Sequence, residues 1–295
     1  MKRRDFLAQT AAGAAVAAGL SASSAFAAQE GGMKKAVVYS MLPSALPPAE
    51  RFKLARECGF DGIEMPPVPE AECEALRSAA EKAGVRLHSV IYGGWNPPLT
   101  HPDAAQREQS VKLAEAALRS AKALGSDCIL LVPGVVNAQT PYGSAYQWAQ
   151  EGIRKLIPTA ERLRVPILIE EVWNNFLLSP LEFNRFVDSF QSPWVQAYFD
   201  VGNVVPFGWP QDWIRTLGPR IKKVHLKDFK GGPGLFQAIK GDFVNLRDGS
   251  IDWPEVRKAL GEIGYNGWVT CELGGGDADY LKDVNRRVDL ILAGK

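Results

Sequence analysis

Histidine is scarce in this chain. Only His88, His101 and His225 occur among 295 residues, too few for a cluster of several imidazole-bound metals. Charge of one sign is lacking as well. Lysine and arginine number 34 against 33 acidic residues, for a net charge of +1, so no long-range field draws nucleic acid or an acidic membrane. No basic run follows the N-terminus. The four cysteines (Cys58, Cys73, Cys128 and Cys271) have neither metal-ligand spacing nor the density of a disulfide framework. No G-x-G-x-x-G follows the first apolar run, which argues against a dinucleotide fold. Beyond the first thirty residues no apolar run is long enough to span a bilayer, and the mature chain is expected to be soluble.

Hydrophobic residues make up 46% and charged residues 23% of the chain. That is ordinary for a globular protein and ample for a large core. The length suits one barrel-sized domain or two smaller ones.

The start of the chain reads as an address. Lys2, Arg3 and Arg4 precede Phe6 and Leu7, an Ala-rich stretch follows, and Ala25-Phe26-Ala27 is an A-x-A cleavage site. Arg3-Arg4-Asp5-Phe6-Leu7 resembles a twin-arginine export signal. Residues 1–27 are therefore expected to be a cleavable signal and 28–295 the mature domain, exported to the periplasm or beyond. An ordinary secretory signal is the alternative.

In the mature chain, strand-like and helix-like stretches alternate. Strands are expected at 36–39, 61–65, 86–91, 128–132, 167–171, 196–200, 222–226 and 268–272. Helices are expected at 48–58, 70–83, 103–124, 145–163, 180–190, 210–217, 253–263 and from 279 to about 292. Asp103 reads as a cap, and Gly84 and Gly125 as helix stops. A long loop is expected from Asp228 to Asp252. Eight strands alternating with helices predict a single (β/α)₈ TIM barrel, with a doubly wound open sheet as the alternative.

Charged groups end four successive late strands: Glu171 in VPILIEEVWN, Asp200 in VQAYFDVGN, His225 in IKKVHLKD and Glu272 in GWVTCELGGG. A charge at the end of a buried strand is costly unless paired or metal-bound. Three carboxylates and an imidazole suit one divalent cation, and barrel active sites form at these strand ends. Alternation puts Cys271 on the face opposite Glu272, toward the helices. It leaves the choice between Glu170 and Glu171 open, because both faces of that strand are apolar.

The motifs GFDGIEM, YFDVGN, KVHLKDF, GSIDWPEVRKALGEIGYNGW and VTCEL, with Glu-x-x-Asn after the fifth strand, together resemble the xylose-isomerase-like barrel family. That family includes sugar-phosphate isomerases and ketose 3-epimerases. The resemblance covers essentially the whole mature chain. It implies a metal held by Glu171, Asp200, His225 and Glu272, the Glu-x-x-Asn spacing selecting Glu171 together with Asn174. It also implies that Glu171 and Glu272 alternate as base and acid through an enediolate, while Asp200 and His225 fix the metal. The donor set suits Mn²⁺ first, with Mg²⁺, Co²⁺ and Zn²⁺ compatible. The expected activity is isomerisation or epimerisation of a keto sugar.

Further substrate contacts are expected at Glu64, His88, Asn174, Asn203, Lys227 and Trp95. Some have a plainer alternative: a hydrogen-bonded core histidine for His88, a rim salt bridge for Glu64, and a surface amine for Lys227, as for neighbouring Lys230. Trp95, Trp173, Phe207 and Trp209 are candidates to stack on a sugar, with packing under the loops as the alternative for each. Two positions depart from the epimerase pattern. Asn203 stands where a histidine is frequent, and Gly231 where an arginine is frequent. Gly274-Gly275-Gly276 precedes the last helix, where barrels cradle phosphate, but Asp277 and Asp279 would repel it. A free sugar or sugar derivative is the expected partner, and assembly into a homo-oligomer is compatible with the family. Alternatives are a lyase acting on 3-keto glycosides by the same enolisation, and a non-catalytic exported sugar-binding barrel.

Overall fold

The structure is a computed structural model that describes residues 32–232 and 241–295. The expected export signal lies outside the described residues. Eight parallel strands close into a barrel in the order β1 (Lys34–Val38), β10 (Trp268–Cys271), β7 (Ile221–Leu226), β6 (Val195–Asp200), β5 (Ile167–Glu170), β4 (Ile129–Leu131), β3 (Arg86–Gly93), β2 (Gly62–Met65). Around it run α1 (Pro48–Glu57), α2 (Glu70–Ala83), α3 (Ala104–Leu124), α4 (Tyr142–Leu163), α5 (Pro180–Asp188), α6 (Pro210–Leu217), α7 (Trp253–Glu262) and α8 (Ala278–Leu292). The closed order excludes the open doubly wound sheet.

Local chemistry sets the helix ends. Asp103 caps α3 by accepting a hydrogen bond from Ala105 N at 2.8 Å. Gly84 and Gly125 close α2 and α3 in the left-handed conformation, which glycine adopts without Cβ strain.

The expected loop between Asp228 and Asp252 is only partly irregular. β8 (Asp228–Gly231) pairs antiparallel with β9 (Gly241–Val244). Asp228 anchors this excursion: its carboxylate accepts from Arg247 N, Gly249 N and Trp253 Nε1 at 2.7, 3.2 and 2.9 Å. The hairpin thus stands on the face where the barrel strands end.

Strand alternation divides the apolar residues into two cores. Ile167, Ile169, Ala197, Phe199, Val224, Val269 and Cys271 pack outward into the layer between strands and helices. Cys128, Leu130, Val132, Leu168 and Tyr198 fill the barrel interior. All four cysteines are buried free thiols, and Cys271 takes the helix-facing side that alternation predicts. β3 breaks the alternation. Its register against β2 slips between Ile63↔Leu87 and Glu64↔Ser89, a bulge that adds one residue at His88. Among the described residues no helix is long and apolar enough to cross a membrane.

Candidate metal centre

Interior parity decides which strand-end groups meet. Leu168 points into the barrel, so Glu170, two residues on, points the same way. Tyr198 brings Asp200 inward by the same rule, and Asp200 is in register with His225 on β7. Glu170, Asp200, His225 and Glu272 each offer a donor atom within 4.8 Å of all the others. The expectation of Glu171 in this set is corrected. Glu171 shares the parity of Ile167 and Ile169 and turns away. Its Oε1 accepts the Asp200 backbone N–H at 2.7 Å, so it supports the neighbouring ligand from behind.

The imidazole of His225 is the hub. Nδ1 lies 2.9 Å from Glu170 Oε1, 3.2 Å from Glu272 Oε2 and 3.8 Å from Asp200 Oδ2. Nε2 lies 2.6 Å from Glu64 Oε2 on β2. A carboxylate behind an imidazole fixes its tautomer and aim, as in metal-binding histidines generally. Glu64, expected to contact a sugar hydroxyl or a rim arginine, is instead fully buried and serves this orienting contact.

Asp200 is held at its other oxygen. Oδ1 accepts Gly202 N and Asn203 N, both at 2.8 Å, whereas buried Oδ2 accepts no hydrogen bond. Gly202 permits this turn to lie against β7. A Cβ there would come 2.8 Å from the Lys227 carbonyl oxygen. Lys227 then reaches back with its ammonium, 2.8 Å from Glu272 Oε2 and 3.3 Å from Asp200 Oδ2. The Asn203 side chain donates to Glu171 O at 3.1 Å, and its Oδ1 lies 3.4 Å from Lys227 Nζ.

Burial and charge pull these groups apart in acidity. Burial pushes the Glu170 carboxyl up to about 7, against the pull of His225. Burial also raises Asp200, with Lys227 opposing. Burial alone would raise Glu272, but His225 and Lys227 outweigh it and hold that carboxyl far below its ordinary range. For His225 burial opposes charge, yet Glu64 and Glu272 keep the imidazole well above its ordinary value. Three inward carboxylates and a directed imidazole, with Asp200 Oδ2 met only by the Lys227 ammonium at 3.3 Å, suit a divalent cation, and the residues present fit one.

A chamber of about 490 Å³ opens above the cluster. Its walls include Ile91, Leu130, Val132, Val172, Trp95 and Trp173, and it reaches Glu170, Glu272, Asn203 and Lys227. Of the expected substrate contacts, Asn203, Lys227 and Trp95 lie here. Phe207 and Trp209 are not among its walls, and Trp209 is exposed. Asn174 is spent on its loop, donating to Gly134 O at 2.7 Å and accepting Phe176 N at 3.2 Å. His88 is the hydrogen-bonded core alternative. It is buried and stacked on Trp268 with centroids 4.5 Å apart, and lies 3.2 Å from both Lys223 Nζ and Thr270 Oγ1.

Three residues escaped the sequence reading. Lys223, two positions before His225 on the same strand face, lies buried with its ammonium 2.7 Å from Asp127 Oδ1; its alternation with His225 was the available signal. Phe243 of β9 stacks on Trp173 with centroids 5.0 Å apart and lines a chamber together with Tyr280 of α8. Local pattern carries no signal for either, because the hairpin that places Phe243 beside α8 is held by long-range contacts.

Comparison with known proteins agrees with this architecture. The model of the xylose isomerase-like TIM barrel matches residues 52–288. A relative named L-ribulose-5-phosphate 3-epimerase, from Escherichia coli O1:K1, is 26% identical over 261 residues, covering 82% of this chain and 88% of its own. Two solved structures share the fold. A D-psicose 3-epimerase superposes with a TM-score of 0.72 at 21% identity, covering 89% of this chain and 100% of its own. A 3-keto-D-glucoside 4-epimerase from E. coli does so with a TM-score of 0.73 at 16% identity, covering 87% and 99%.

Proposed function

The chain belongs to the xylose isomerase-like TIM barrel family, and from that premise we propose that it is a divalent-metal-dependent isomerase or epimerase of a keto sugar. One observation carries the reading: Glu170 and Glu272, both members of the four-donor cluster, open into the same chamber. When bound, the metal supplies an electrophile for the carbonyl and hydroxyl oxygens of the sugar, with Mn²⁺ the first choice and Mg²⁺, Co²⁺ or Zn²⁺ compatible.

The protein's own groups then move the proton. Glu170 and Glu272 are the pair that takes a proton from carbon beside the carbonyl and returns one. In the metal-free protein burial raises the first, while His225 and Lys227 hold the second below its ordinary range. Lys227 places positive charge beside Glu272, keeping it ionised as a base. Asp200, clamped by two backbone N–H groups, and His225, aimed by Glu64, hold position. Trp95, Trp173 and the aliphatic walls exclude water from the carbanion-like intermediate.

The partner is a small sugar. Its lack of phosphate is supported by the last helix, whose first turn is capped by the Asp277 carboxylate, accepting Tyr280 N at 2.9 Å. An anion is disfavoured there. Export by the twin-arginine route is proposed from Arg3-Arg4 and the A-x-A site. Cell fractionation with Arg3→Lys and Arg4→Lys tests it, and unchanged export would refute it.

The decisive assay incubates Mn²⁺-loaded protein with free ketoses in D₂O. Deuterium should enter at carbon beside the carbonyl, and NMR identifies the product as isomer, epimer or elimination product. Glu272→Gln should abolish exchange with the fold intact; undiminished exchange in that variant would end the two-glutamate mechanism.

A further inference from the structure

A second chamber of about 430 Å³ adjoins the first. It is lined by Val244, Asn245, Leu273, Gly274 and Tyr280, and shares Lys227, Phe243 and Glu272 with its neighbour. The two therefore meet across a saddle made by one aromatic ring, one ammonium and one candidate acid–base group. Each lies in the range of about 300–1,000 Å³ that suits a small-molecule ligand.

The chambers differ in chemistry. The first reaches Glu170 and Glu272 and so receives the reacting sugar. The second holds only Glu272 of the four-donor set. Among the described residues its other walls are aliphatic, aromatic or amide, and its one cation, Lys227, is already committed to Asp200 and Glu272. The nearby start of α8 is capped by Asp277, with Asp279 following in its first turn. An anionic group gains nothing there. A neutral ring with hydroxyl edges is compatible with it: Phe243, 43% exposed, lines the chamber as an apolar wall, and Tyr280 adds an aromatic side chain with a phenol. Phe243 is also braced. It stacks on Trp173, meets Phe229 edge-on at 5.4 Å, and has the Lys227 ammonium 5.0 Å from its ring.

We propose that this second chamber is a subsite for a second neutral sugar ring, so that the substrate is a keto sugar carrying a glycosidic partner, with Phe243 as the shared wall between the two rings. The inference rests on the keto-sugar reading and deepens it.

Gly274 supplies the test. A Cβ at this position meets nothing within 4 Å, so Gly274→Phe fills the second chamber from open space without disturbing the barrel. Calorimetry on the Mn²⁺-loaded protein compares D-fructose, the neutral ketose disaccharide lactulose, and fructose 6-phosphate. The disaccharide should bind at least tenfold more tightly than fructose, the phosphate should gain nothing, and Gly274→Phe should erase the disaccharide's advantage with the melting temperature retained. Should Gly274→Phe melt early, Phe243→Ala provides the second variant, and it too should lower the ratio of disaccharide to fructose affinity. A disaccharide that binds no better than fructose, an advantage that survives both substitutions, or a preference for the phosphate overturns the subsite. Fructose that binds and exchanges deuterium while lactulose gains nothing would remove the subsite and leave the epimerase reading standing. If no ketose binds, both readings fall together.

Discussion

Glu64 Oε2 lies 2.6 Å from His225 Nε2, on the far side of the imidazole from the three inward carboxylates. The contact leaves Nδ1 as the nitrogen facing Glu170, Asp200 and Glu272, and so makes a residue of β2 part of a site built on β5, β6, β7 and β10.

Removing that contact should cost metal affinity without removing a ligand. Glu64→Ala is expected to weaken Mn²⁺ binding by about 10–100-fold, the usual effect of losing a partner behind a metal-bound histidine. Glu64→Gln, which can still accept from Nε2–H, should lose less. Titration of both variants checks the order, and wild-type affinity in Glu64→Ala would count against the orienting role.

The neighbours Glu170 and Glu171 should separate cleanly. Glu170→Gln is expected to abolish Mn²⁺ binding and deuterium exchange. Glu171→Gln keeps an oxygen that can accept the Asp200 N–H, and should retain metal while losing about 1 kcal/mol of stability, the size of one weakened buried hydrogen bond. The reverse pattern would restore Glu171 to the ligand set.

Stability of the metal-free protein should fall as pH rises from about 4.5 to about 7. The Glu170 carboxyl moves from an ordinary 4.5 to about 7 in the folded state, so the native form binds this proton more tightly than the unfolded chain. Its stabilisation is complete below 4.5 and is lost as pH rises through 7. Raised Asp200 and His225 act in the same direction; depressed Glu272 acts at lower pH, where its stabilisation is lost on acidification. Mn²⁺ competes with the same proton, so its affinity should rise toward pH 7. Thermal melts across this window should slope less in Glu170→Gln, and an unchanged slope there would contradict the assignment.

The Lys223–Asp127 pair beneath the site, its cation buried and its carboxylate partly exposed, should respond asymmetrically. Lys223 is 1% exposed, with its ammonium against Asp127 and 5.6 Å from the Trp268 ring. Asp127→Ala leaves a buried cation uncompensated and should cost about 3–5 kcal/mol. Lys223→Met leaves only a partly exposed carboxylate and should cost far less. Denaturant unfolding of the two variants compares them, and equal losses would argue that packing, not charge, dominates.

Barrel topology was readable because Gly, Pro and Asp punctuate an alternation of short apolar runs and amphipathic stretches, and helix boundaries such as Ala104–Leu124 fall where Asp103 and Gly125 place them. Asp200, His225 and Glu272 were readable for the same reason: each ends a strand. The fifth strand was not, because a parallel strand buried on both faces carries no polar side to fix its parity, and ILIEE reads equally well in either phase. Only the interior position of Leu168 decides for Glu170. His88 was readable only as an open choice between substrate contact and core histidine, and the β3 bulge beside it shifts register without any glycine or proline to announce it. The hairpin carrying Phe243 depends on Asp228, whose side chain gathers donors from 19 to 25 residues away, a long-range link that local pattern does not encode.

Gly202 sets the gauge of the whole mouth. With only hydrogen in place of a side chain, the backbone after Asp200 rests against the Lys227 carbonyl. A methyl group at 202 would act as a wedge between the turns that follow β6 and β7, pushing the backbone that carries Lys227 away from the backbone that follows Asp200 without touching a single charged residue.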